Sequence, residues 1–272
     1  GIRDHCVTGV QTCALPIYRK IDGEEGFSEG EWLKLYNAAN FFDPKNIAVE
    51  EYEWISQLCQ PFARTVVENH AGLLRGQRCR DLVKRFRDLL QKPLEIAMGL
   101  ETIEPIAFER LNKAMTLEHF QAAVEFLRGE GIHVRAFVLL QPFGTTTDDS
   151  VQWAIETVNR ATAWGVERTC VIPTRPGNGF LDLMLAEGKW CPPDACQLES
   201  YLERVLRDRE SRSLDSNLQP VYTVDLWNWG ELEGTCQNCS RTRRSRLERM
   251  NLQQRLIDRD ATMGDNVPCD CL

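Results

Sequence analysis

From Trp32 onward, short apolar runs alternate with amphipathic stretches. The strand-sized runs are Trp32–Leu35, Thr65–Glu68, Leu94–Leu100, His133–Leu139, Arg168–Ile172 and Val221–Leu226. Between them, apolar side chains recur at helical spacing. Tyr52, Ile55 and Cys59 do so from Val49, as do Leu82, Phe86, Leu89 and Leu90, and Phe120, Val124 and Leu127 within Leu117–Arg128. Thr116 stands where an N-cap belongs, and Thr147 with Asp148 and Asp149 opens the helix that carries Val151–Trp164, its acids favoured by the helix dipole. Gly131 and Gly165 stand where helices stop.

The first five strand starts lie about thirty to forty residues apart, the spacing of repeated βα units. Strands apolar on both faces suit a parallel sheet covered by helices. The rhythm fits a (β/α) barrel or an open doubly wound sheet, and in both the ligand site lies at the strand C-terminal ends. That rule selects Tyr36, Asn37, Glu68, Asn69, His70, Glu101, Thr102, Gln141, Thr174 and Arg175, each following directly on an apolar run.

Composition narrows the class. In 272 residues, 43% are hydrophobic and 26% charged, as in ordinary globular proteins, and no apolar run approaches a membrane span. The expectation is a soluble, cytoplasmic protein. A net charge of −8 excludes a generally basic nucleic-acid surface but leaves room for a local patch.

Eleven cysteines is a high count, and their spacing is not that of a secreted disulfide scaffold. Gly1–Ile17 resembles the in-frame translation of a sequencing-library adapter: Gly1-Ile-Arg-Asp4 matches its primer segment and Val7–Ile17 its body. The expectation is that residues 1–17 are foreign, so that Cys6 and Cys13 drop out and the native reading starts near Tyr18.

Several strand ends carry motifs. Met98-Gly-Leu-Glu-Thr102, Leu111-Asn-Lys113 and Gly131-Ile-His-Val-Arg135, leading to Gln141-Pro-Phe143, resemble the second half of a radical S-adenosylmethionine (radical SAM) barrel. Val67-Glu-Asn-His70 is similar to the corresponding strand end of the radical SAM subunit of the elongator complex. With Leu33-Lys-Leu-Tyr-Asn37, Phe41-Phe-Asp-Pro44, Pro173-Thr-Arg175, Gly177-Asn-Gly179, Asp225-Leu-Trp227 and Cys236-x-x-Cys239, the series resembles the archaeosine-biosynthesis radical SAM family along Trp32–Asp258.

The resemblance implies an α/β fold, an incomplete (β/α) TIM-like radical SAM barrel over residues 18–230. It also implies a small CxxC and basic appendage over 231–260, and a tail over 261–272. It implies SAM and a [4Fe–4S] cluster as cofactors, an electron donor for cluster reduction, and a tRNA or modified nucleoside as substrate. Tyr36 and Asn37 would bind the methionine moiety, and Glu68 and Glu101 the ribose hydroxyls or the ammonium. Lys113 or Arg135 would answer the SAM carboxylate. Two glycines permit close backbone approach at Thr174–Gly179, where Arg175 and Asn178 would donate to a phosphate or a modified base. Equally, that segment reads as an ordinary turn, and Lys113 as a solvated helix start.

One departure bears on activity. A radical SAM cluster takes three thiolates from a CxxxCxxC loop, and no such spacing occurs in this sequence. The expectation is a truncated, inactive reading whose cluster loop has been lost. Cys236 and Cys239 have metal-knuckle spacing, suiting zinc or an auxiliary iron–sulfur cluster if two further ligands join them. The five arginines at 241, 243, 244, 246 and 249 offer a patch for an RNA backbone, or else one face of a solvated helix with Leu247 and Met250 turned inward. Two other classes remain open: a zinc-knuckle RNA-binding barrel without chemistry, and a conventional barrel enzyme using Glu68, His70 and Glu101 as acid–base groups.

Overall fold

The computed structural model describes residues 32–36, 39–177, 179–211, 219–232 and 239–258. The segments 1–17 and 261–272, along with Asn37, Asn178 and Cys236, lie outside them. The strands are β1 (Trp32–Leu35), β2 (Arg64–Glu68), β3 (Leu94–Glu101), β4 (His133–Leu140), β5 (Arg168–Pro173) and β6 (Val221–Val224). The helices are α1 (Tyr52–Leu58), α2 (Gln77–Leu90), α3 (Pro105–Leu111), α4 (Leu117–Gly129), α5 (Thr147–Ala163), α6 (Phe180–Ala186), α7 (Ala195–Ser211) and α8 (Ser240–Gln253). One six-stranded sheet runs in the order β1-β2-β3-β4-β5-β6, and its β1–β2, β2–β3 and β5–β6 pairs are parallel. Sequential order with helical crossovers is that of an α/β, incomplete TIM-like barrel.

The described residues divide into two compact units. The first runs to Gly99 and includes Ala114–Arg135; the second comprises Leu100–Lys113 and the residues from Ala136 onward. The first is built on rings. Phe41 lies 4.8 Å from Phe86 and 5.7 Å from Tyr52 between ring centroids, in tilted and stacked geometries that add to area burial. β2 and β3 supply Val66, Val67, Ile96 and Met98, all buried. In the second, Val138 and Leu140 of β4 and Val171 of β5 share a core with Leu198, Tyr201, Leu202 and Val205 of α7. Leu247 and Met250 of α8 join the same core, inward as the helical reading has them.

Burial refines the two-faced expectation. β3 is buried along nearly its whole length, as a covered parallel strand should be. β4 and β5 instead alternate strictly between half-exposed and buried residues, so only one face of each is sealed.

Local chemistry sets the boundaries. Thr116 accepts from the His119 amide and His119 Nδ1 from the Thr116 amide, a reciprocal cap for α4. Thr146, not Thr147, caps α5, accepting from Asp149 N at 3.2 Å. Gly131 (φ 71°) and Gly165 (φ 103°) take the positive φ that lets a helix stop. Helices α3, α6 and α7 were not among the elements read from the sequence. α3 had a legible start, Glu104 capping with Pro105 as its first residue.

Candidate functional site at the strand ends

In the first unit, Glu68 ends β2. Its side chain makes no hydrogen bond or ion pair among the described residues, and burial holds its carboxyl above the ordinary glutamate range. Next to it, the Asn69 side chain accepts from Phe42 N at 3.3 Å, and Asn40 accepts from His70 N at 2.7 Å. These bonds clamp the β1–α1 connection against the β2 end. His70 Nδ1 accepts from Gly72 N at 3.0 Å, which occupies that ring nitrogen and weighs against an acid–base task there. Tyr36 directly follows β1.

Arg135 sits elsewhere. It is the third residue of β4, near the strand's N-terminal end, and donates to Glu95 at 2.6 Å. Glu95 is fully buried and is bonded also by Arg64 at 3.0 Å, the first residue of β2. Two guanidiniums around one desolvated carboxylate form a structural pin. It lies at the strand ends opposite to Glu68, so the structure does not bring Arg135 together with that residue.

In the second unit, Glu101 and Lys113 form an ion pair, each side chain 17% exposed. The carboxylate thus has the cationic partner that burial demands, supplied from within the chain. Glu101 adopts φ 68°, and Asn112 and Ala114 adopt 46° and 53°. Left-handed backbone at non-glycine residues costs of order 1–3 kcal/mol each and clusters at functional sites. Thr102 is buried and caps the turn by accepting from Glu104 N.

Gln141 (φ 57°) is also left-handed and almost fully buried. Its amide donates to Cys191 O at 2.8 Å and accepts from Gln197 at 2.6 Å, so it ties the β4 end to the start of α7. Arg175 is held by both nitrogens at 3.4 Å from Asp225 and donates to the Trp227 carbonyl. It lines a cavity of ≈ 480 Å³ with Arg110, Leu139, Phe143, Ile172, Thr174 and Phe180. Phe143 and Phe180 meet edge-on at 5.1 Å, and the Arg110 guanidinium stands 4.7 Å over the Phe143 ring. The Thr174 hydroxyl is buried and has no hydrogen-bond partner among the described residues, which leaves it available to a ligand in that cavity.

The glycine turn differs from expectation. Gly177 (φ 110°) and Gly179 (φ 79°) take the positive φ predicted, but their amides already donate to the Asp182 carboxylate at 3.0 and 2.7 Å. An anion would have to displace that aspartate. The residue missed at the sequence level is therefore Asp182, and for Asp225, quoted there only as part of a motif, the pairing with Arg175 was missed. Asp182 had a signal, standing three residues after the capping glycine as in a capping box.

No family model matches the chain. Archaeosine synthase subunit beta of Thermococcus kodakarensis is 27% identical to it over 147 residues, covering 52% of this chain and 43% of that protein. An uncharacterized protein of Methanocaldococcus jannaschii is 22% identical over 249 residues, 88% of this chain and 63% of that protein. The chain spans only about half to two thirds of the length of these relatives. Among solved structures, the Elp3 of Methanocaldococcus infernus with an N-terminal deletion superposes with a TM-score of 0.55 at 11% identity, over 88% of this chain and 58% of that one. That likeness is one of fold. Two radical SAM enzymes, TsrM of Kitasatospora setae and HemN of Escherichia coli, also superpose on parts of the chain, at TM-scores of 0.35 to 0.42.

The cofactors implied by the resemblance fit unequally. Glu68 is a desolvated carboxyl with no partner among the described residues, a fit for an ammonium or ribose hydroxyl. The cluster does not fit the thiols on hand: among the described residues no three His, Cys, Asp or Glu side chains are grouped to hold a metal. Of the proposed knuckle only Cys239 is described; it is buried at the N-cap of α8. The arginine patch is smaller than expected, because Arg243 and Arg246 are buried against Glu199 and Glu203. No helix among the described residues is long and apolar enough to cross a membrane.

Proposed function

We propose that this chain is part of a radical SAM enzyme that modifies a tRNA nucleoside of the 7-deazaguanine or archaeosine type. The observation that carries the reading is its relation to archaeosine synthase subunit beta across half its length, on a fold shared with Elp3. The strand ends support it. Glu68 would accept from the SAM ammonium or ribose. The Glu101–Lys113 pair would bind zwitterionic or hydroxyl groups, and Tyr36 and Asn37 the methionine moiety. Arg175, steadied by Asp225, and Asn178 would hold the substrate. The cluster, when bound, would supply the electron that cleaves SAM; no CxxxCxxC spacing occurs among the cysteines of this sequence.

The test is direct. The reading frame upstream of Trp32 in the source genome should encode CxxxCxxC. The protein carrying it, reconstituted anaerobically with iron and sulfide, should show a [4Fe–4S] chromophore and release 5′-deoxyadenosine from SAM. An intact gene without the motif, or a reconstituted protein that leaves SAM uncleaved, overturns the proposal.

A further inference from the structure

The first unit carries a concentration of positive charge that its own packing does not use. α2 has cations at Arg78, Arg80, Lys84, Arg85 and Arg87, and Arg75 ends the 3-10 turn before it. Three of these six are committed internally. Arg80 bonds the Leu74 carbonyl at 2.6 Å and stands over Phe126, while Lys84 and Arg87 share Glu130 at 2.9 and 2.5 Å. Arg75, Arg78 and Arg85 are exposed and make no hydrogen bond or ion pair among the described residues, although the Arg85 charge acts on the buried Tyr52 hydroxyl.

Their placement runs against local electrostatics. The first turn of α2 holds no acid, so Arg78 sits at the positive end of the helix dipole with Arg75 just before it. Like charges gathered there repel one another, and an external anion relieves the repulsion. Arg78 and Arg85 share one helix face about 10.5 Å apart, two turns at 1.5 Å per residue. Of the two acids beside them, Asp81 accepts from Gln77 at 2.8 Å, and Asp88, three residues past Arg85, pairs with Arg87 at 2.7 Å.

Position matters too. In a βα unit the helix starts beside the C-terminal end of the preceding strand. Arg75 and Arg78 therefore lie on the rim that carries Glu68, and Arg85 lies further along the outer face.

We propose that Arg75, Arg78 and Arg85 form a docking edge for the phosphate backbone of an RNA. The proposal rests on the tRNA-modification reading and adds the surface that meets the RNA outside the reacting nucleoside. It displaces α8 from that role: with Arg243 and Arg246 buried and Arg244 paired to Glu248 at 2.9 Å, that helix keeps only Arg241 and Arg249 exposed and unpaired.

The test uses the whole chain and unmodified tRNA, with binding followed by fluorescence anisotropy across a salt series. R75Q/R78Q/R85Q should weaken binding at least tenfold near 0.1 M salt. The slope of log affinity against log salt should fall by about two to three, since each neutralised phosphate contributes about 0.7–0.9. Asp81→Asn should tighten binding, which a merely structural role would not produce. Since the three arginines hold nothing in the fold, the thermal midpoint of the triple variant should stay that of the parent. Parent binding with an unchanged triple variant overturns the proposal and leaves the tRNA reading standing, as does a loss that appears only in R241Q/R249Q. A parent that binds no tRNA overturns both.

Discussion

The guanidinium of Arg243 lies 2.6 Å from the Glu199 carboxylate, and each side chain is 2% exposed. Arg246 adds a second contact to Glu199 at 3.7 Å and one to Glu203 at 2.8 Å. α8 is thus fastened to α7 by charge as well as by Leu247 and Met250. Removing Arg243 leaves the buried Glu199 carboxylate with only the longer Arg246 contact, and breaking a buried pair costs up to about 3–5 kcal/mol. Arg243→Met should lower the urea midpoint accordingly. The double variant R243M/E199M should recover most of that loss, because both charges leave together; a double variant as unstable as the single one would contradict the account.

Gly144 (φ 113°) lies against α3, and a Cβ placed there would come within 3.0 Å of the Ala107 Cα. Both the backbone angle and the contact oppose a side chain. Gly144→Ala should destabilise the protein by about 1–3 kcal/mol. Thermal melting measures this, and a neutral result would mean that the loop relaxes freely.

Much of the architecture was legible, for reasons that differ by element. The six strands announce themselves as apolar runs, and Thr116, Gly131 and Gly165 mark helix ends by chemistry that acts within a few residues. The strand-end rule selected Glu68, Glu101, Gln141 and Arg175, which do stand at or just after strand ends, because it needs only order along the chain. What escaped was pairing across distance. Arg135 reads as a candidate for the site until Glu95, forty residues away in sequence, is found beneath it. The arginines of α8 read as a surface patch until Glu199 takes two of them. Helix α7 was legible in principle, with Leu198, Tyr201, Leu202 and Val205 at helical spacing and Asp194 and Gln197 bonding each other's amides as a capping box at its start.

Burial separates the cysteines chemically. The thiols of Cys59 and Cys79 are each pushed up by burial to about 11, whereas Cys191 is exposed. A rise of about two units leaves about a hundredfold less thiolate at neutral pH. In the native state Cys191 should be alkylated by iodoacetamide well before Cys59 and Cys79. Peptide mass mapping of a time course checks the order, and early labelling of Cys59 or Cys79 would show that the first unit opens.

Glu68 links stability to pH in the opposite direction from an ion-paired carboxylate. Burial without a partner raises its folded-state pKa, so the folded protein holds this proton more tightly than the unfolded chain does. Stability from this group is therefore complete below the ordinary glutamate range and declines as pH rises through the raised one. Glu68→Gln removes the titration. Its unfolding free energy should match the parent's in acid and exceed it at neutral pH, as followed by urea denaturation at a series of pH values. A cationic ligand bound at Glu68 supplies the missing partner and should shrink that difference. If the variant is less stable than the parent at neutral pH, the carboxylate has a partner in the protein and is not free to receive one from a ligand.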